Sequence, residues 1–162
     1  MNGKLKELID EAKQHYEYNS QYPQLLSELV EHVVYKRELS PALTEILNAP
    51  QPSRYNQEEI EYIKDGLVEI INTTQSDEIA GSAIETLSLF GDQKHVPILR
   101  QKLELYLKRF LRANHPFTAC IVALNKCGEE IRSGSSFGID EVDKNIQLAR
   151  DYLTKFNKNV PW

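Results

Sequence analysis

The chain has 162 residues, 41% of them hydrophobic and 27% charged, with 7 Gly, 7 Pro and a formal net charge of −5. That length is about one domain's worth and buries a sizeable core, and the composition excludes disordered, collagenous and low-complexity classes. Two cysteines are too few to staple a small secreted fold, and Cys120 and Cys127 on one helix stand about 10 Å apart by rise, beyond disulfide reach, so both read as reduced core thiols.

The start, Met1-Asn2-Gly3-Lys4-Leu5-Lys6-Glu7-Leu8, is charged and already helical. With no apolar run of about 18 residues or more anywhere, a cytoplasmic protein that does not cross a membrane is expected. Leu5, Leu8, Ile9, Ala12 and Tyr16 recur at threes and fours and predict a helix over residues 3–18. Asn19-Ser20-Gln21 reads as a turn. Pro23 suits the first turn of a second helix whose stripe of Leu26, Leu29, Val30, Val33 and Val34 ends near Arg37. Ser40-Pro41 supplies a cap and first turn for a short helix through Leu43, Ile46 and Leu47.

The segment 48–53, with Pro50 and Pro52, forbids continued helix. It is the expected linker within a single domain 1–162, dividing N-terminal helices 1–49 from helices 54–162. Asn56 and Glu59 have the spacing of a cap and its return partner, ahead of a stripe formed by Ile60, Ile63, Leu67, Ile70 and Ile71. Gly66 inside that stripe marks close helix packing. Ser76-Asp77-Glu78 opens the next helix, with Ile79, Ala80, Ala83, Ile84, Leu87 and Phe90 inward until Gly91-Asp92 stops it.

A further helix spans about residues 94–113 through Val96, Leu99, Leu103, Leu107, Phe110 and Leu111, with Pro97 in its first turn. His115-Pro116 restarts the chain into Phe117, Cys120, Ile121 and Leu124. Residues 128–138 form the longest expected loop, pinned by Phe137. Asp140 caps a last helix with Val142, Ile146, Ala149, Tyr152, Leu153 and Phe156 inward. No alternating β-branched run competes, so the fold class is all-α, with about seven to eight helices in a short α-solenoid or helical bundle.

Superposing Gly91 on Gly128, an offset of 37, also matches Leu87 with Leu124, Ile84 with Ile121, Ala83 with Cys120 and Ala80 with Phe117. Helix, glycine turn and second helix is a unit that buries its apolar face by stacking on its neighbour. Ala80, Ala83, Leu87, Gly91-Asp92 and Val96-Pro97-Ile98-Leu99 resemble the HEAT-like repeat: small residues, a Leu, a Gly-Asp turn and a Val-Pro-x-Leu second helix. Residues 114–156 depart from it, lacking the Val-Pro step, and the first 50 residues carry helical pairs without the signature.

Charge is segregated. Residues 51–92 carry 2 basic and 9 acidic groups, and residues 93–126 carry 7 and 1. Glu58, Glu59, Glu61, Asp65 and Glu69 flank an inward-turning stripe, so they reach solvent together and steer a cationic protein partner, with Tyr55 and Tyr62 as adjacent anchors. The opposite set, Arg100, Lys108, Arg109 and Arg112, is the alternative phosphate or nucleic-acid contact. Intramolecular pairing with the acidic segment is the bland account of those charges.

Nothing rises to a catalytic or cofactor motif. His15, His32, His95 and His115 lack His-Glu-x-x-His spacing, no Cys-x-x-Cys pair offers a metal centre, and the Gly-Ser loop lacks a phosphate-loop ending. No metal, no cofactor and no enzymatic activity are expected. In size, acidity and helical style the chain looks like small acidic immunity proteins that cover the positive site of a bacterial nuclease toxin. That resemblance implies a protein inhibitor acting by occlusion. A nucleic-acid-binding helical repeat and a structural adaptor or homodimer subunit remain the competing readings.

Overall fold

In a computed structural model, described for residues 3–16, 21–49, 51, 53–109, 115–131 and 142–156, the chain is all-α, with no strand among the described residues. The helices are α1 (Gly3–Gln14), α2 (Gln21–Tyr35), α3 (Pro41–Leu47), α4 (Gln57–Thr73), α5 (Asp77–Ser88), α6 (Val96–Lys108), α7 (His115–Lys126) and α8 (Val142–Thr154). A 3-10 turn over Gln93–His95 precedes α6. Contacts divide them into two units, Met1–Thr73 and Thr74–Trp162.

In the first unit α2 packs on α4 and α1, and α1 also meets α3 and α4. Leu5, Leu26, Leu29, Val30, Ile63 and Ile70 are fully buried and form its centre. The caps expected from the sequence are made. Ser40 Oγ accepts from the Leu43 amide at 3.3 Å, with Pro41 in the first turn. Glu28 on α2 accepts from the Ser40 amide at 2.6 Å, fastening the start of α3 to α2. Lys36 and Asn48 end α2 and α3 with φ of 58° and 48°. The units part between Thr73 and Thr74, downstream of segment 48–53, because α4 packs on α1 and α2. Pro50 and Pro52 themselves lie outside the described residues.

In the second unit α5 lies chiefly along α7, and α6 packs on α7 and α8. Ser76 caps α5, its Oγ accepting from the Ile79 amide. All eight residues paired by the offset of 37, namely Ala80, Ala83, Ile84 and Leu87 with Phe117, Cys120, Ile121 and Leu124, are at most 3% exposed. Gly91 and Gly128 both end their helices with positive φ, 58° and 94°. At Gly91 a Cβ would also stand 3.1 Å from the Lys126 carbonyl, so the first turn rests against the end of α7.

Pro97 falls in the first turn of α6, as its missing amide requires. Among described residues that helix ends at Lys108 with Arg109 as its cap. The remainder of the helix expected to 113, with Phe110, Leu111 and Arg112, lies outside the described residues, as do Phe137, Asp140 and the end of the first helix at 17–18. Both cysteines are free and buried, and burial pushes both thiols above the ordinary value. No helix among the described residues is long and apolar enough to cross a membrane.

Candidate functional site: the acidic face of α4

Helix α4 starts with a reciprocal capping box. Asn56 Oδ1 accepts from the Glu59 amide at 2.8 Å, and Glu59 Oε1 accepts from the Asn56 amide at 3.3 Å. Glu59 is consequently 6% exposed and spent on closing its own helix end. It leaves the set of partner-facing carboxylates expected from the sequence.

Four carboxylates remain. At about 100° of rotation per residue, Glu58, Glu61, Asp65 and Glu69 fall with Tyr62 inside one arc of about 100°, along about 17 Å of helix. Ile63, Leu67 and Ile70 are buried on the opposite side, with Gly66 buried on the flank next to Tyr62. Glu58 and Asp65 are exposed, while Glu61, Tyr62 and Glu69 are half-buried. The surplus is specific to this helix: α4 carries five acidic groups and one lysine, whereas α1 carries three of each.

Helix α1 grips the edge of that face. Lys13 Nζ lies 2.7 Å from Glu69 Oε2. The Tyr62 hydroxyl donates to Asp10, which also receives Lys6 Nζ at 2.7 Å, and the Lys6 ammonium sits 5.4 Å from the Tyr62 ring centre. Lys6 and then Tyr62 hold the Asp10 carboxyl below its ordinary value. The bond to Asp10 is likewise the chief reason that the Tyr62 hydroxyl is pushed up. Glu61 accepts from Gln57 Nε2 at 2.8 Å and lies 3.4 Å from Lys64 Nζ. Glu61 and Glu69 are therefore partly neutralised by the chain's own lysines.

Tyr55 precedes α4 and is half-buried, with its hydroxyl turned inward. Its ring stands edge-on to buried His32, centroids 5.7 Å apart, and its hydroxyl is buried without a hydrogen-bond partner among the described residues. Burial pushes that hydroxyl up to about 12. Sequence reasoning missed Lys6, Asp10 and Lys13. Their spacing of four and three puts them on one face of α1, yet nothing local shows that this face borders α4.

A cleft of about 250 Å³ opens where the strip ends, lined by Lys13, Gln14, Tyr16, Tyr22, Glu69, Ile70 and Thr73. Tyr16 and Tyr22 meet there edge to face at 5.7 Å.

The basic set is not one surface. Arg100 donates to Tyr152 at 3.2 Å and to Glu129 at 3.0 Å, and its guanidinium lies 3.6 Å from the Phe156 ring centre. Lys108 pairs with Glu104 at 3.0 Å. Arg109 is exposed but falls about 180° around the axis from Arg100. Arg112 lies outside the described residues. Among the described residues no three His, Cys, Asp or Glu side chains converge as a metal-ligand set. Comparison with known proteins finds no matching family model, no matching curated protein and no matching solved structure.

Proposed function

We propose that this chain is a protein-binding inhibitor that lays the acidic face of α4 on a cationic surface of another protein. In its most specific form it is a cytoplasmic immunity protein that occludes the active site of a cationic bacterial toxin such as a nuclease. The observation that carries the reading is the alignment of Glu58, Glu61, Asp65 and Glu69 on one arc of one helix. They sit in a unit with 13 acidic and 7 basic groups. Carboxylates fixed on a helix present negative charge where a nuclease would hold phosphates. Such a field steers encounter and selects the partner, while packed central residues retain it.

The role is binding without turnover. The buried pairs at an offset of 37 and the two positive-φ glycine turns support a HEAT-like helix-turn-helix reading of the second unit, which stands as the scaffold. The engagement of Arg100 within its own unit speaks against the nucleic-acid reading.

The test is to isolate the stoichiometric partner from native cytosol and titrate it with the wild-type chain and with the triple variant Glu58→Lys, Glu61→Lys, Asp65→Lys. Loss of at least about tenfold in affinity is expected, with a marked fall in association rate at low salt. Neutralisation of the partner's toxicity should fail in parallel. Unchanged affinity in the triple variant, or a partner that is nucleic acid alone, would falsify the reading.

A further inference from the structure

We infer that the chain binds a second copy of itself, the acidic face of α4 in one copy lying antiparallel on a basic, leucine-bearing ridge of α6 in the other. The inference goes beyond the inhibitor reading and does not depend on a foreign partner.

The ridge follows from helix geometry. At about 100° per residue, Ile98, Lys102, Leu105 and the capping Arg109 fall within one arc of about 60°, opposite the buried Val96 and Leu107. Leu105 is 40% exposed, the one large apolar side chain of α6 left in water. Arg109 is exposed, and Ile98 and Lys102 are half-buried. Neither Lys102 nor Arg109 pairs with a carboxylate among the described residues, unlike Arg100 and Lys108. An exposed leucine between two such cations is a helix face suited to an acidic, aromatic counterpart.

The α4 strip is that counterpart. Glu58, Tyr62, Asp65 and Glu69 are spaced four, three and four residues apart, and Arg109, Leu105, Lys102 and Ile98, taken in reverse, have the same spacing. Antiparallel docking sets Glu58 against Arg109 and Asp65 against Lys102, two pairs about 10 Å apart along the axis, with the half-buried Tyr62 ring on Leu105 between them. Glu58 and Asp65 are the exposed carboxylates of the strip. Parallel docking would instead put Asp65 on Leu105 and Glu58 on Ile98, with neither facing a cation. The pair of Glu69 and Lys13 stays intact, its methylene stems against Ile98.

Charge selects a second copy as the occupant. Residues 51–92 carry 2 basic and 9 acidic groups and residues 93–126 carry 7 and 1, so every copy brings both halves of the contact. The contact joins unlike surfaces and is heterologous. Two exposed ion pairs around one apolar contact make a weak, salt-sensitive association.

The test is sedimentation equilibrium of the full chain over a range of concentrations, at low and at high salt. Average mass should rise above the monomer with concentration at low salt and fall back at high salt. Asp65→Lys and Lys102→Glu should each weaken association at least about tenfold. Glu45→Lys, an equal charge change on the exposed surface of α3, should leave it unaltered. The double variant Asp65→Lys, Lys102→Glu should associate again, because opposite charges meet with their signs exchanged, a recovery that a damaged fold would not give. A chain that stays monomeric to about 1 mM at low salt, association indifferent to either single reversal, or a double variant that stays monomeric overturns the inference. Lys102→Glu leaves the strip intact, so a foreign partner should bind it undiminished. A monomeric chain whose partner is lost in the triple variant would sink self-association alone. A self-associating chain whose partner ignores that variant would sink the inhibitor reading alone.

Discussion

The hydroxyl of Tyr62 on α4 donates to the carboxylate of Asp10 on α1, a residue 52 positions earlier in the chain. Lys6 closes the group from one turn before Asp10. The contact ties the polar edge of α1 to the acidic face of α4.

Because Lys6 and Tyr62 lower the Asp10 carboxyl from its ordinary 3.8, its stabilising contribution is complete above that value and disappears as pH falls through the depressed one. Lys6 and Tyr62 are raised from 10.5 and 10.0, so their contribution is present below those values and disappears as pH rises through the raised ones. Carboxyl carbon titration should show Asp10 moving back toward 3.8 in Tyr62→Phe, and further in Lys6→Met. An Asp10 that titrates identically in all three proteins would show that the group does not form in solution.

Two helix-interior glycines should respond differently to alanine. A Cβ at Gly66 would stand 2.6 Å from the Tyr22 hydroxyl oxygen and 2.9 Å from Leu26 Cδ1, and both side chains are buried. The overpacking cost of about 1–3 kcal/mol exceeds the helix-propensity gain of about 1 kcal/mol, so Gly66→Ala destabilises. At Gly81 the Cβ would meet the His115 ring at 2.7 Å, but that side chain is partly exposed and can swing away from Glu85, giving up a surface ion pair. Gly81→Ala should be near neutral. Urea midpoints of the two variants give the comparison.

Glu59 and the strip carboxylates should separate in mutagenesis. Asn56→Ala should cost about 0.5–2 kcal/mol by leaving the start of α4 uncapped. Glu59→Gln keeps an acceptor for the Asn56 amide and should be mild, whereas Glu59→Lys places a cation on a buried cap and should destabilise. Exposed Asp65→Lys should leave stability within about 0.5 kcal/mol. Equal losses for Asp65→Lys and Glu59→Lys in thermal unfolding would contradict the assignment of Glu59 to the cap.

Arg100 joins α6 to α8 through Tyr152 and Phe156, and to the turn after α7 through Glu129. Arg100→Met retains much of the stem but loses the charged hydrogen bonds, about 1–2 kcal/mol in this partly exposed setting. Arg100→Lys should not restore them, because an ammonium lacks the planar fork. Hydrogen exchange should quicken first in α8, and protection there that matches the wild type would overturn the assignment.

What the sequence determined by itself was local. The apolar stripes, the caps at Ser40, Asn56 and Ser76, the proline first turns and the glycine stops were legible because each is satisfied within about one turn of its own residue. The offset of 37 was legible because α5 and α7 present matching buried faces and end on positive-φ glycines. Tertiary structure decided which of these charges are engaged within the chain itself. Lys13 meets Glu69 and Asp10 meets Tyr62 only because α1 packs beside α4, and Arg100 is held by groups from two later segments. It also placed α4 with the helices before it, where proline spacing had pointed to a division at 48–53. Cap hydrogen bonds depend on neighbouring residues, whereas these ion pairs depend on how distant apolar faces dock, and no short window of sequence contains that geometry.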